Sequence, residues 1–515
     1  MERRYFVPVK EEDTAAFDER GAAPKGRGYI LLACMFAQFM AAVEATIVGT
    51  AMPTIVADLG GFHLFSWVFA SYLLAQAAST PIYGRLADVY GRKRVFIFGA
   101  TVFLLASTAC GFAWGMVPLI ALRTIQGFGA GAIQPIAWTA LGDVYPPKER
   151  AMVQGYLSAV FGTSAIAGPV LGGFIVEHLH WSLVFWINIP VSLATMAMLA
   201  VFLKENIAPQ RHDIDYLGAL LLMIGIGALM VVLVQARSLD GRTLAILSVV
   251  AAVALAALAL QEARTREPIV PYKLWRLKLI IVGNIGSFAI GALMMCNGAF
   301  LPTYVQGAMG ASPAVAGLAL GASSILWTFG TFGSGRLMVR LSYRAAALWG
   351  GIIMIVGAAL LLTASPDYGP AWVAFGAAVL GLGMGFANTT FVIAVQTAVG
   401  WSERGAATSG NMFLRTVGQS VGTALFGAVF NLGVGHIDGA DDEINRLLEP
   451  ATRATLGAIE TMRLSDAIAT AMHNVYLIAA VLTLVLLGLA GRIPAGLSPV
   501  RQPLRREASR PVAGD

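Results

Sequence analysis

Long apolar runs, separated by short polar or charged connections, occupy most of this chain. They fall at about 29–56, 64–86, 94–115, 117–141, 150–177, 181–203, 216–236, 243–261, 279–303, 312–335, 345–364, 370–397, 405–434 and 470–491. A helix needs about 20 apolar residues to cross the hydrocarbon core of a bilayer, and each run is about that long or longer. The pattern predicts an all-α polytopic membrane protein with about 14 transmembrane helices. An even number of crossings places both chain ends on one side.

Charge decides which side. With the N-terminus cytoplasmic, 28 Lys and Arg fall on cytoplasmic segments and 5 on external ones, so both termini are expected inside. Residues 1–28 carry Glu11, Glu12, Asp13, Asp18 and Glu19 without an apolar core; they read as a cytoplasmic arm and not as a cleavable signal peptide. Residues 492–515, with Pro494, Pro499, Pro503 and Pro511, read as a cytoplasmic tail. The longest external connection is 436–469. An amphipathic helix is expected there over 438–463, with Ile444, Leu447, Leu448 and Leu456 on its apolar side. It either rests on the bundle or serves as a lid or partner site.

Composition narrows the function. Charged residues make up 12% of the chain, against about 25% in soluble domains. The net charge of +6 is explained by the cytoplasmic Lys and Arg, so no nucleic-acid partner is expected. Cys34, Cys110 and Cys296 each lie in an apolar run and act as small apolar residues; no zinc or disulfide framework is visible. The absence of G-x-x-x-x-G-K-[ST] argues against an ATP-driven pump. An embedded enzyme would need clustered His or carboxylates within the spans, whereas His63, His178, His180, His212 and His436 lie at span ends or in loops and His473 at the start of the last span. Arg far outnumbers Lys and Ala and Gly abound, which points to a GC-rich bacterial genome.

Between the second and third runs stands Gly84-Arg85-Leu86-Ala87-Asp88-Val89-Tyr90-Gly91-Arg92-Lys93-Arg94. Charges this dense belong where the chain leaves the hydrocarbon, and the glycines permit a tight turn. The run resembles the loop between helices 2 and 3 of the major facilitator superfamily, G-x-L-a-D-r-x-G-r-k. Val43-Glu44-Ala45-Thr46-Ile47-Val48-Gly49-Thr50-Ala51-Met52-Pro53 resembles the l-D-x-T-i-v-n-v-A-l-P motif of the fourteen-helix drug:proton antiporters of EmrB/QacA type. It departs from that motif at two places, with Glu44 for the usual Asp and Gly49 for the usual Asn. Arg123-Thr124-Ile125-Gln126-Gly127-Phe128-Gly129-Ala130-Gly131 is similar to the family's R-x-x-q-G-x-G-a. Gly162, followed by Gly168-Pro169-Val170-Leu171-Gly172-Gly173, resembles the antiporter motif G-P-x-x-G-G. The run from Trp181 through Phe185-Trp186-Ile187-Asn188-Ile189-Pro190 also matches, and Arg415-Thr416-Val417-Gly418-Gln419-Ser420-Val421-Gly422-Thr423-Ala424 carries the likeness into the second half.

The resemblance implies a major facilitator fold: two six-helix halves plus two inserted helices. The expected division is the arm 1–28, a first half 29–203, an insert with its flanking loops 204–278, a second half 279–491 containing the external loop 436–469, and the tail 492–515. Gly333-Ser334-Gly335-Arg336-Leu337-Met338-Val339-Arg340 echoes the 84–94 run in the second half, without its Asp. The implied activity is proton-coupled export of hydrophobic or amphipathic small molecules by alternating access, of the multidrug-efflux kind. An exporter of one metabolite, siderophore or lipid, and a proton-coupled importer, are the alternatives. No cofactor is expected, since the proton gradient supplies the energy. The expected setting is the bacterial plasma (inner) membrane, with lipid, protons and substrates as partners; a periplasmic adaptor and outer-membrane channel could join the external loop.

Glu44 stands about fifteen residues into its span, roughly 22 Å along a helix. A carboxyl group withdrawn from water is biased towards its neutral form, which suits a proton-coupled site; the alternative is a structural acid paired with an arginine. Arg123 could bond to Glu44, to cavity water or to a backbone carbonyl, and a coupling role for it is expected. Gly84, Arg85, Asp88, Gly91, Arg92 and Arg94 form either a cytoplasmic latch that breaks as the halves rock or a plain topology signal. Gly162, Gly168, Gly172 and Gly173 allow close helix approach, and Pro169 removes a helical hydrogen bond. Candidates for the substrate cavity are Gln38, Gln126, Gln134, Trp138, Asn297, Phe300, Tyr304, Asn388, Phe391, Gln396 and Arg415. Well inside the spans stand one acid, Glu44, and two arginines, Arg123 and Arg415. This balance tilts the expected substrate away from multivalent cations, although Arg415 could equally serve helix packing.

Overall fold

In the computed structural model, residues 26–145, 147–203, 215–234, 239–265, 274–399, 404–434, 440–448, 453 and 456–494 are described. The expected arm up to residue 25 and the tail from residue 495 lie outside them. The described residues contain helices and turns and no strand. The long helices of the first half are α1 (Arg27–Leu59), α2 (Phe65–Tyr90), α3 (Arg92–Cys110), α4 (Met116–Val144), α5 (Pro147–His178) and α6 (Leu183–Phe202). Then come α7 (Tyr216–Val234) and α8 (Gly241–Arg264), followed by α9 (Lys278–Ala308), α10 (Pro313–Arg340), α11 (Tyr343–Leu362), α12 (Gly369–Thr397) and α13 (Arg404–Val434). A short α14 (Ala440–Leu448) precedes the long α15 (Ala458–Gly491).

Local chemistry sets several of the helix ends. Asp240 caps α8 by accepting from the Thr243 amide at 3.1 Å, and Ser342 caps α11 through the Ala345 amide at 3.1 Å. Ser312 followed by Pro313 opens α10 in the same manner. Gly91, at φ 91°, ends α2 and starts α3 in a single residue, a backbone conformation that favours glycine.

Among the described residues twelve helices are long and apolar enough to cross a membrane, fewer than the fourteen expected from sequence. The two other long helices of the bundle are α2 and α5. In α2 a polar interior face dilutes the apolar run, since Ser66, Ser71 and Ser79 are buried against neighbouring helices; several residues of α5 lie outside those whose packing is described. Outward-facing residues elsewhere are strongly apolar, as at Leu105, Val253, Phe329, Phe332 and Leu484, the surface expected of helices in lipid.

Helices α1 to α6 pack on one another, as do α9 to α13 with α15. The α7–α8 hairpin lies between these groups in sequence, and α7 seats against both α2 and α13. Hydrogen bonds join the two groups around one face of the bundle. Gln306 donates to the Thr50 carbonyl at 3.2 Å, Asn431 to the His63 carbonyl at 3.1 Å, Ser420 to the Ala70 carbonyl at 3.1 Å, and the Ala314 amide to Glu177 at 3.3 Å. Phe62 and Phe65 from the first group meet Phe300 and Phe430 from the second there, in tilted and edge-to-face contacts. Towards the opposite face, the core around Ile30, Cys34, Tyr83, Phe96 and Ile136 draws on the first group alone, apart from Met295.

Helix α9 is irregular in its last third: Cys296–Phe300 and Tyr304–Ala308 are π-helical turns on either side of Pro302. Such turns are rare and concentrate at functional positions. At this level Gly49 of α1 meets the backbone of Gly298, so closely that a Cβ on Gly49 would overlap the Gly298 carbonyl. The single amphipathic helix expected over 438–463 is instead two elements, α14 and the first turns of α15. Pro450 lies between them, and a proline inside a helix removes a hydrogen bond. Ile444, Leu447, Leu448 and Leu456 are buried, as the apolar pattern predicts, and α14 rests on both α1 and the Tyr304–Ala308 turn. Arg453 fixes the connection by donating to the Gln306 and Gly307 carbonyls at 3.0 and 3.3 Å.

Candidate functional site

A polar knot lies in the apolar interior of the first half, built by five helices. Glu44 comes from α1, Arg123 and Gln126 from α4, Asn188 from α6, Ser107 from α3, and the Val68 carbonyl and Tyr72 ring from α2. Glu44 is 1% exposed and Arg123 2%. Arg123 forms an ion pair with Glu44 Oε1. The same Arg123 Nη1 donates to Gln126 Oε1 at 2.7 Å, and Gln126 Nε2 donates to Glu44 Oε1 at 3.2 Å. On the other carboxylate oxygen, Asn188 Nδ2 donates to Glu44 Oε2 at 2.7 Å and to Ser107 Oγ at 3.1 Å. Arg123 Nε reaches the Val68 carbonyl at 3.3 Å, and its guanidinium sits 4.1 Å above the centre of the Tyr72 ring.

Every contact to Glu44 is donated to it, so the geometry is that of the ionised carboxylate. Breaking a buried ion pair by removing one partner typically costs about 3–5 kcal/mol, because the other charge is left uncompensated. The pair is therefore both a structural tie and a group whose protonation would unbalance the knot. Sequence reasoning found Glu44, Arg123 and Gln126. It missed Asn188, Ser107 and Tyr72 as site residues, although Asn188 lay in one of the recognised motifs.

The cavity candidates separate into groups. Gln38, Gln134 and Trp138 form one network between α1 and α4, with Trp138 Nε1 donating to Gln38 Oε1 at 3.1 Å and Gln134 Nε2 at 3.5 Å. Gln126 belongs to the knot. Asn297 donates to Ser323 Oγ at 3.1 Å, and Gln396 to Thr408 Oγ1 at 3.1 Å. Phe300 and Phe391 are core side chains: Phe300 lies edge-on or tilted to Phe65, Phe426 and Phe430, while Phe391 packs against Gly283 and Gly286. Tyr304 lies edge-on to Tyr476 at 6.1 Å. Asn388 and Arg415 each keep a buried polar atom without a partner.

The glycine motif of α5 sits at the junction. A Cβ at Gly168 would strike Thr46 of α1, and one at Gly172 the Ile47 carbonyl. Gly173 faces Pro313 and Ala314 of α10, and Gly317 of α10 faces the Pro169 carbonyl. The motif thus wedges α5 between α1 and a helix of the other half. Arg92 donates to the Thr139 carbonyl at 2.7 Å and Lys93 to the Ala200 carbonyl, so this loop clips onto the last turns of α4 and α6. Gly84 is part-buried in α2, and Arg94 is exposed. Arg85, Asp88 and Gly162 lie outside the residues whose packing is described.

A bundle of two helix groups, joined around one face and holding an acid–arginine pair in its interior, defines a membrane carrier. Residues 34–423 match the Major Facilitator Superfamily, and the chain belongs to that superfamily of transporters. Multidrug resistance protein 3 of Bacillus subtilis is 36% identical over 404 residues, covering 78% of this chain and 79% of the relative. Multidrug transporter protein MdtP of the same organism is 31% identical over 414 residues, covering 80% and 76%. Among solved structures, the inward-facing, unoccupied bacterial homolog to the human lysosomal transporter Spinster aligns with a TM-score of 0.66 at 15% identity, covering 91% of this chain and 97% of that one. At that identity the likeness is one of fold.

Proposed function

We propose that this protein is a proton-coupled exporter of hydrophobic and amphipathic small molecules, driven by the proton gradient without a cofactor. The observation that carries this reading is the buried Glu44–Arg123 pair with its donors Gln126 and Asn188. In the ionised state Glu44 holds Arg123. A proton on Oε1 would displace Arg123 or Gln126 from that oxygen, and Arg123 would fall back on Gln126, the Val68 carbonyl and the Tyr72 ring. The five helices that supply the knot would then repack, which couples proton binding to the rocking of the halves. The names of the two Bacillus relatives support drugs as the substrate class.

In this reading the membrane is the bacterial plasma membrane and both termini are cytoplasmic. The joined face is then external, and the conformation is the inward-facing one. We assign residues 29–203 and 279–491 as the moving halves, 204–278 as the insert, and the 84–94 loop as a latch that engages in the outward-facing state. An adaptor and outer-membrane channel would meet the external connection.

We also place the chain among the fourteen-helix drug:proton antiporters, with α2 and α5 crossing as well. Their lengths of 26 and 32 residues suffice for a crossing. His63→Cys and Leu179→Cys, in right-side-out vesicles, are expected to react with an impermeant maleimide, and Tyr90→Cys to react only after permeabilisation. Labelling of position 63 and position 90 from one side would remove α2 from the spans. The native cysteines are buried and give little background.

The function itself is tested in proteoliposomes with an imposed pH gradient. Uphill accumulation of an amphipathic dye that collapses with the gradient is expected; accumulation indifferent to a protonophore would refute proton coupling.

A further inference from the structure

We propose that the substrate this carrier handles best is an amphipathic anion, with Arg415 as the residue that receives its carboxylate or comparable acidic group. The proposal deepens the exporter reading above and rests on it. Of the three charges well inside the spans, Glu44 and Arg123 neutralise each other. Arg415 remains, eleven residues into α13, which is roughly 16 Å along the helix. Among the described residues its guanidinium has no hydrogen bond, ion pair or ring contact, and Nε is buried without a partner. Among the described residues no acid forms an ion pair with it, and α9, α10, α11, α12 and α13 contain no Asp or Glu at all.

Helix packing does not account for this arginine. One turn earlier on α13, Asn411 does that work, donating to the Gly283 carbonyl at 3.1 Å and to Asn284 Oδ1 at 3.0 Å, and accepting from Ser287 at 3.0 Å. With its own Nδ2 and Oδ1 engaged, Asn411 locks α13 to α9 and leaves Arg415 free of that task. An arginine at membrane depth is expensive unless an opposite charge or water meets it. Its planar fork is matched to a carboxylate, which it binds through paired, charge-assisted hydrogen bonds. Asn388, on α12, keeps a half-buried amide whose oxygen has no partner. Helices α12 and α13, which carry Asn388 and Arg415, both pack on α9. Exchange of an anion outward for a proton inward also moves both charges with an inside-negative membrane potential.

The test is equilibrium binding to the full chain in nanodiscs, without any gradient, using dansylglycine (anionic), dansylamide (neutral) and dansylcholine (cationic). The wild type is expected to bind dansylglycine most tightly. Arg415→Gln should lose about 10- to 100-fold of that affinity, the range for a hydrogen bond to a charged group, while dansylamide binding stays. Arg415→Lys should recover part of it. A wild type that binds dansylglycine no more tightly than the other two overturns the proposal, whatever the variants do. So does an Arg415→Gln protein that keeps full dansylglycine affinity, or one that loses dansylglycine and dansylamide alike when Arg415→Lys does the same. Failure of proton coupling is read separately, by dye accumulation under an imposed pH gradient, and would leave this selectivity in place, since the binding is measured without any gradient.

Discussion

Glu44→Gln is expected to abolish gradient-driven transport, by about 100-fold or more, while leaving folded protein that still binds substrate. The argument turns on what the change keeps. Gln has nearly the shape of Glu, and its carbonyl oxygen can accept from Arg123 or Asn188, so the helices of the knot stay tied. What it removes is the single group in the knot that can take up and release a proton. Arg123 would sit 2% exposed without a counter-charge, held by Gln126, the Val68 carbonyl and the Tyr72 ring. Substrate exchange at equal concentrations on both sides needs no proton and should continue. Glu44→Asp keeps the acid and should retain coupling at a reduced rate, because the shorter side chain reaches its three donors less well. Uphill transport by Glu44→Gln at the wild-type rate would assign the pair a structural role only.

A reversible cross-link between α5 and α10 is expected to stop transport by at least about tenfold. Glu177 already reaches across to the Ala314 amide at 3.3 Å. Cysteines at these two positions, joined by a short bifunctional thiol reagent, would tie the ends of the two helices. Alternating access requires that junction to open once in each cycle. Just below it the Gly173–Ala314 and Gly317–Pro169 approaches leave no slack to absorb the motion. Reductant should restore the lost activity, which separates a blocked motion from a damaged protein. Full transport by the cross-linked protein would mean that the halves do not part at this face. Binding in the cross-linked state should persist, since the cross-link touches neither Arg415 nor the rest of α13.

The buried ion pair was legible in the sequence for a simple reason. A charge inside a long apolar run has no inexpensive explanation, so Glu44 and Arg123 stand out at once. Asn188 and Ser107 do not, because single amides and hydroxyls are common in packed helices, and only the fold brings Asn188 within 2.7 Å of Glu44. Tyr72 was hidden likewise: an aromatic ring on a helix gives no sign that a guanidinium lies across it. The reverse error explains Phe300 and Phe391, which an apolar helix assigns equally well to a cavity wall or to the core. Helix α2 shows why its apolar signal is weak, since Ser66, Ser71 and Ser79 face other helices and not lipid. The two π turns of α9 were not foreseeable beyond the presence of Pro302, because the choice between a kink and a widened turn is made by neighbouring helices.

The meeting of Gly49 and Gly298 has a mechanical meaning. Two backbones touch there with no side chain between them, so no ridge has to climb out of a groove when one helix turns on the other. Such a point acts as a fulcrum. The arm of α1 from Gly49 back to Arg27 is roughly 33 Å long, so a turn of about 15° at the fulcrum swings its end by roughly 9 Å. A small molecule could pass at the rim while the pivot itself hardly shifts, and a side chain added at Gly49 would act as a brake on the swing.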